Sequence, residues 1–185
     1  MKFIILDRDG VINEDSDAFV KSPAEFIPIP GSLEAIGRLS QAGYTIVVAT
    51  NQSGIARGYY DQAMLQTMHD KLATLLIPVG GHIDAFFVCP HGPDDHCDCR
   101  KPKTGLFQQI ATQYQINLAG IPAVGDSLRD LQAAITVGAK PILVKTGKGQ
   151  RTLDKYKQEL LAIPVYANLA DYVNELLNSE GTCTC

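Results

Sequence analysis

Five short apolar runs, separated for the most part by stretches long enough to form a helix, constrain the fold of this chain more than any other feature. They lie at Phe3–Leu6, 44–50, 84–89, 121–125 and 140–145. Runs of this length with little internal alternation fit strands buried on both faces. The intervening segments are amphipathic. Ser32 is placed to cap a helix that stops near Gly43, and Asp61 to cap one reaching about Ile77. In the second, Met64, Leu65, Met68, Leu72, Leu75 and Leu76 recur mainly at three- and four-residue spacings. Further helices are expected at 106–114, 128–137 and 169–177. Such alternation predicts an α/β fold: a parallel, Rossmann-like sheet in a three-layer α/β/α sandwich. A chain of 185 residues, 45% of them hydrophobic, suits one domain, expected over 1–178, with a flexible tail at 179–185. No interval is long enough for a separate cap domain, which predicts an open crevice and a small or end-on substrate.

The formal charge is −4, and no Lys/Arg block forms a nucleic-acid footprint. The start MKFIILD lacks the features of a secretory signal, and no apolar run reaches membrane-spanning length. A cytoplasmic protein with neither nucleic-acid nor membrane partners is expected. Its five cysteines, Cys89, Cys97, Cys99, Cys183 and Cys185, are too few and too uneven for a disulfide framework, so metal binding explains them better. Cys183 and Cys185 offer too few ligands for a second clamp.

The first run delivers Asp7, Arg8, Asp9 and Gly10 in succession. In extended chain, positions i and i+2 share a face, so Asp7 and Asp9 can converge on the crevice beyond the carboxyl ends of a parallel sheet. One carboxylate can attack an electrophile while the other handles the leaving group's proton. An acidic turn or a calcium loop would use the same residues. Past the second run, Thr50, Asn51, Gln52, Ser53 and Gly54 place hydroxyl, amide and backbone N–H groups where they can grip phosphate oxygens. Past the fourth, Asp126 is a candidate ligand that, with Asp7 and the main-chain carbonyl of Asp9, suits Mg²⁺; helix N-capping is its alternative role. Asp130 can support that shell, though it reads first as an exposed first-turn carboxylate. The long connection 13–30 is expected to form a flap beside the crevice.

Cys89, His91, Cys97 and Cys99 form two short clamps with the ligand types of a closed, structural zinc site. His96 can replace His91 in that set. His69 and His82 read as surface or helix residues. Directly after the clamps come Arg100, Lys101, Pro102 and Lys103. A metal-anchored loop can hold Lys101 against the nucleophile and phosphoryl oxygens, and Arg100 against a substrate oxyanion.

Taken in order, Asp7-Arg8-Asp9-Gly10, Thr50-Asn51-Gln52-Ser53-Gly54, Arg100-Lys101-Pro102 and Gly125-Asp126 resemble the four motifs of haloacid-dehalogenase-type phosphatases. The zinc loop is similar to that of the subgroup holding heptose-bisphosphate and histidinol-phosphate phosphatases. Residues 51–58, with Ser53 where histidinol enzymes typically carry Asp, resemble the heptose branch. The resemblance implies a Mg²⁺-dependent, zinc-stabilised enzyme that removes the C7 phosphate of a heptose 1,7-bisphosphate on a route to lipopolysaccharide; a monomer is expected. Asp7 would be the nucleophile, Asp9 the acid and base, and Thr50 and Lys101 the phosphoryl-stabilising groups. Asn51, Gln52, Ser53 and Arg100, with Asp15, Ser16, Asp17 and Ala18, would contact the sugar phosphate. Histidinol-phosphate hydrolysis and non-catalytic phosphosugar binding are the alternatives.

Overall fold

A computed structural model describes residues 1–181 and contains one six-stranded, all-parallel sheet in the order β3-β2-β1-β4-β5-β6. The strands are β1 (Phe3–Leu6), β2 (Thr45–Asn51), β3 (Ala85–Cys89), β4 (Pro122–Gly125), β5 (Lys140–Val144) and β6 (Val165–Tyr166). The α-helices are α1 (Ser32–Gln41), α2 (Gln62–Leu76), α3 (Gly105–Tyr114), α4 (Leu128–Thr136), α5 (Gly149–Lys155) and α6 (Leu169–Gly181). The expected strands and helices are all present, within a residue or two at most ends. The last helix runs four residues beyond its expected end, so 179–181 are helical. Cys183 and Cys185 lie outside the described residues.

Side-chain alternation along the strands builds the two faces. Ile4 and Leu6 pack with α1, α2 and α6 residues such as Ile36, Leu39, Leu72 and Val173. Phe3 and Ile5 pack on the opposite side with Phe107, Ile110, Ala133 and Ala134 of α3 and α4. All four β1 residues are at most 2% exposed. At roughly 1.5–3 kcal/mol per buried large apolar side chain, β1 anchors both layers. A one-residue slip would exchange its faces.

Local signals explain some helix ends. Asp61 caps α2 by accepting from Met64 N at 2.8 Å. The expected Ser32 cap is replaced: Gly31, at φ 83°, precedes α1, while Ser32 Oγ donates to Ile12 O at 2.7 Å. That bond ties α1 to the connection following β1. Within 13–30, an antiparallel bridge joins Asn13 to Pro28, and Glu14 N donates to Ile27 O at 2.8 Å.

Candidate active site

Strand order reverses about β1, whose neighbours β2 and β4 carry connections leaving in opposite directions. The gap beyond their carboxyl ends is where an open parallel sheet binds ligands. Asp7 N donates to Val124 O at 2.9 Å, extending the β1–β4 ladder one residue and setting Asp7 beside the end of β4. A cavity of about 290 Å³ opens there. Asp7, Asp9, Thr50, Asn51, Gln52, Ser53, Arg100 and Asp126 border it, as do Asp15, Ser16 and Asp17 from the expected flap. Ala18 differs from expectation: it is exposed and outside the cavity lining.

Lys101 is 2% exposed, and its ammonium group lies 3.1 Å from Asp7 Oδ1, 2.6 Å from Asp130 Oδ1 and 2.7 Å from Ala49 O. Burial lowers its pKa, but Asp130 and Asp7 outweigh that and raise it, so Lys101 is a fixed cation. Asn51 clasps the same residue, donating from Nδ2 to Lys101 O at 3.1 Å and accepting at Oδ1 from Lys101 N at 3.0 Å. The Lys101–Asp7 approach is an ion pair off the hydrogen-bonding direction, leaving buried Asp7 Oδ1 without a hydrogen-bond donor.

Asp9 has a contrasting environment. Oδ1 accepts from Arg8 Nε at 3.1 Å, Arg8 Nη2 at 2.9 Å and Asn13 Nδ2 at 2.8 Å. Oδ2 accepts from Arg8 Nη2 at 3.0 Å and Gln52 Nε2 at 2.8 Å. Burial favours the acid form, but Arg8 and these donors prevail and hold Asp9 below the usual carboxylate range. Arg8 is fully buried, and its carbonyl accepts from the N–H groups of Val11, Ile12 and Asn13. Neither Arg8 nor Asn13 was expected in the site; the signal available was an arginine between two carboxylates.

Asp126 is 3% exposed and accepts from Lys148 N at Oδ2, 2.7 Å away. Gly10 makes room for it: at φ +84°, a β-carbon there would collide with the Asp126 carboxylate. Contrary to expectation, Asp130 is buried. Its Oδ2 accepts from Ser127 N at 3.0 Å and Ser127 Oγ at 2.6 Å, while Oδ1 meets Lys101. Carboxylate oxygens of Asp7, Asp126 and Asp130 lie within 4.8 Å of one another. Burial, opposed by Lys101 but reinforced by Asp130 and Asp9, pushes Asp7 up to about 6. Burial, then Asp130 and Asp7, push Asp126 up to about 8. Since Asp130 is committed to Lys101 and Ser127, Asp7 and Asp126 are the oxygens available to a hard cation. The orphaned Asp7 oxygen and the excess of buried carboxylates fit Mg²⁺.

The Cys/His cluster is assembled beside this site. Cys99 Sγ lies 3.0 Å from Cys89 Sγ, 3.2 Å from His91 Nδ1 and 3.6 Å from Cys97 Sγ. Cys89 Sγ is 3.7 Å from both Cys97 Sγ and His91 Nδ1. These separations approach the edge of about 3.8 Å for a tetrahedron of thiolates about 2.3 Å from zinc, so the residues fit a closed zinc site. His91 belongs to the cluster; His96 does not. Arg100 Nη1 donates to His91 O at 3.1 Å and Lys103 Nζ to Cys97 O at 2.6 Å, coupling the cluster to the basic segment.

The family described as HAD-hydrolase-like matches residues 98–172, and that described as polynucleotide kinase 3 phosphatase matches residues 2–129. A D-glycero-β-D-manno-heptose-1,7-bisphosphate 7-phosphatase of Pseudomonas putida is 56% identical over 177 residues, covering 96% of this chain and 100% of that relative. This chain belongs to the heptose-bisphosphate phosphatases of the haloacid-dehalogenase superfamily. A relative of the same name from Bordetella bronchiseptica is 63% identical over 153 residues, or 83% of this chain and 86% of that one. The crystal structure of D,D-heptose 1,7-bisphosphate phosphatase from B. bronchiseptica, complexed with magnesium and phosphate, matches with a TM-score of 0.92. Identity is 55%, with 97% of this chain and 99% of that one covered.

Among this phosphatase's other cavity-lining residues, Arg57, Arg129 and Lys148 were not anticipated. Lys148 Nζ pairs with Asp15 at 2.5 Å, and Arg151 with Asp17 at 3.3 Å, joining the flap to the start of α5. His69 is in α2 but buried, stacked on Phe86 with ring centroids 3.9 Å apart. Burial, reinforced by Arg8, lowers its pKa to about 4.

Proposed function

We propose that this chain hydrolyses the C7 phosphate of D-glycero-β-D-manno-heptose 1,7-bisphosphate, yielding heptose 1-phosphate through an aspartyl phosphate on Asp7. The observation carrying this reading is the buried Asp7 oxygen without a hydrogen-bond donor, next to Lys101 and in one cavity with Asp9. The relatives' names support the β-heptose substrate.

Asp7 attacks phosphorus while Lys101 and the Thr50 hydroxyl face the phosphoryl oxygens. Thr50 Oγ1 accepts from Gln52 Nε2 at 2.8 Å, which leaves its own proton to donate. Phosphoryl transfer chiefly requires this alignment and charge stabilisation. Mg²⁺ held by Asp7, Asp126 and the Asp9 carbonyl would supply further charge neutralisation. Asp9 protonates the departing C7 oxygen and then takes a proton from the water that hydrolyses the acyl phosphate. Its present donors favour the ionised form; the negative phosphate beside it favours proton uptake before the first step. Arg100, with Arg57 and Arg129, suits the second phosphate, and Asp15, Ser16, Asp17 and Ser53 border the sugar's place. One chain supplies all these groups, consistent with a monomer. No helix among the described residues is long and apolar enough to cross a membrane, in keeping with a cytoplasmic enzyme.

The test is phosphate release from the α- and β-heptose bisphosphates and histidinol phosphate with Mg²⁺, with the cleaved position read by phosphorus NMR. Preferential release from C7 of the β-anomer is expected. Preference for histidinol phosphate, or binding without release, would refute the reading.

A further inference from the structure

Gln52 borders the cavity yet is only 3% exposed, and its amide is engaged on every side within the protein. Nε2 donates to Asp9 Oδ2 and to Thr50 Oγ1, both at 2.8 Å. Oε1 accepts from Tyr60 Oη at 2.5 Å and Arg8 Nη2 at 3.2 Å. These four contacts match the two N–H donors and two lone pairs of a carboxamide. Turning the amide over would set its NH₂ against the guanidinium and its oxygen against the Asp9 carboxylate, breaking the bond to Asp9. Tyr60 and Arg8 therefore decide which end of Gln52 faces the reacting groups.

Tyr60 has its own support. A β-carbon at Gly54 would collide with the Tyr60 ring, so this glycine provides the space through which the phenol reaches Gln52. Burial, opposed by Arg8 and reinforced by Asp9, raises the phenol's pKa to about 12, keeping it a neutral donor. The chain Gly54–Tyr60–Gln52–Asp9 links a ten-residue loop to a carboxylate from another strand end.

We propose that Gln52, oriented by Tyr60 and Arg8, is a positioning residue that aims the Asp9 carboxyl at the departing oxygen and does not contact the sugar. It gives and takes no proton: as the Asp7–phosphorus bond forms and the bond to the leaving oxygen breaks, the proton moves from Asp9 to that oxygen. The inference rests on Asp9 being the acid of the proposed reaction. Misaiming Asp9 should penalise substrates in proportion to the basicity of the oxygen that leaves.

The experiment measures kcat/KM, which reports the first phosphoryl transfer, for phenyl phosphate and p-nitrophenyl phosphate. Neither carries a sugar, and p-nitrophenolate leaves with little help from an acid. Gln52→Met keeps side-chain length and removes the amide. It should lower kcat/KM about tenfold for phenyl phosphate and about threefold or less for p-nitrophenyl phosphate. Tyr60→Phe keeps the ring against Gly54 and should show the same contrast at about threefold on phenyl phosphate, because Arg8 still holds Oε1. This second variant carries the test if Gln52→Met does not fold. Equal losses on both aryl substrates would overturn the proposal, and so would a loss confined to heptose bisphosphate, which would make Gln52 a sugar contact. Asp9→Asn is measured alongside. If it shows no leaving-group contrast, the acid assignment fails and takes this proposal with it; if it does and the Gln52 and Tyr60 variants do not, only this proposal fails.

Discussion

Replacing Lys101 with methionine should cost this fold several kcal/mol, because the ammonium group neutralises carboxylates with little access to water. The side chain is 2% exposed, and Nζ meets Asp130 at 2.6 Å, Asp7 at 3.1 Å and Ala49 O at 2.7 Å. Methionine retains most of the volume, so the main loss is electrostatic. Breaking a buried ion pair from one side costs about 3–5 kcal/mol because the partner charge stays behind uncompensated. Here two partners stay behind, within 4.8 Å of Asp126 as well. The pH dependence has a definite sign. Asp130 has a lowered pKa in the fold, so its contribution is present above the unfolded value of about 3.9 and fades as pH falls through the folded one. Lys101 has a raised pKa, so its contribution is present below about 10.4 and fades as pH rises through the folded value. Asp7, at about 6 with Lys101 beside it, adds its charge only above that pH, so the difference between parent and variant should be greatest from above about 6 up to about 10.4. Urea denaturation is the assay, in magnesium-free buffer without chelator so that zinc is retained. Added Mg²⁺ should narrow the gap by binding the folded carboxylates, while kcat remains about 10²–10³-fold low. A variant within about 1 kcal/mol of the parent at neutral pH would refute the electrostatic reasoning.

Asp7→Asn should abolish phosphate release and, in magnesium-free buffer at pH 8, melt no lower than the parent. The reason is that the folded pKa of Asp7, about 6, lies above the ordinary value of 3.8, so ionisation weakens the fold as pH rises through that interval; turnover in this variant would exclude Asp7 as nucleophile. Cys97→Ser should lose zinc, more than about 2 kcal/mol of stability and activity together, by releasing the loop that carries Arg100 and Lys101. Unchanged melting with zinc bound would contradict that role. Gly10→Ala, which drives a methyl group into the Asp126 carboxylate, should raise the Mg²⁺ concentration for half-maximal activity at least about tenfold, a shift of about 1.4 kcal/mol. An unaltered Mg²⁺ titration would count against Asp126 as a ligand.

The layered fold was legible because buried strands and amphipathic helices have different periods, and each leaves its pattern in contiguous residues. Helix α5 spans seven residues and β6 two, too short to show a period, and neither was anticipated. The zinc cluster was legible from spacing, but choosing His91 over His96 required the folded loop. Asp130 illustrates what local sequence cannot carry. A first-turn carboxylate is ordinarily solvated, and only tertiary approach brings the α4 terminus against Lys101 from the zinc loop. Arg8 is similar: charge alone predicts exposure, whereas the Asp9 carboxylate and the Gln52 carboxamide hold it in the interior. Gln52 was expected as a sugar contact from the family resemblance; its partner Tyr60 lies eight residues on in the same loop, but Arg8 and Asp9 come from the connection after β1. Residues acting directly on phosphate can be found by motif, while those orienting them depend on contacts between distant segments.

The most direct measurement is capture of the phosphoenzyme. Asp9→Asn should still accept phosphate from p-nitrophenyl phosphate, which needs little acid assistance, but should hydrolyse the acyl phosphate slowly. After acid quenching, borohydride reduction and proteolysis, mass spectrometry should find homoserine in place of Asp7. Release of p-nitrophenol with Asp7 unmodified, or reduction at another carboxylate, would contradict nucleophilic catalysis by Asp7.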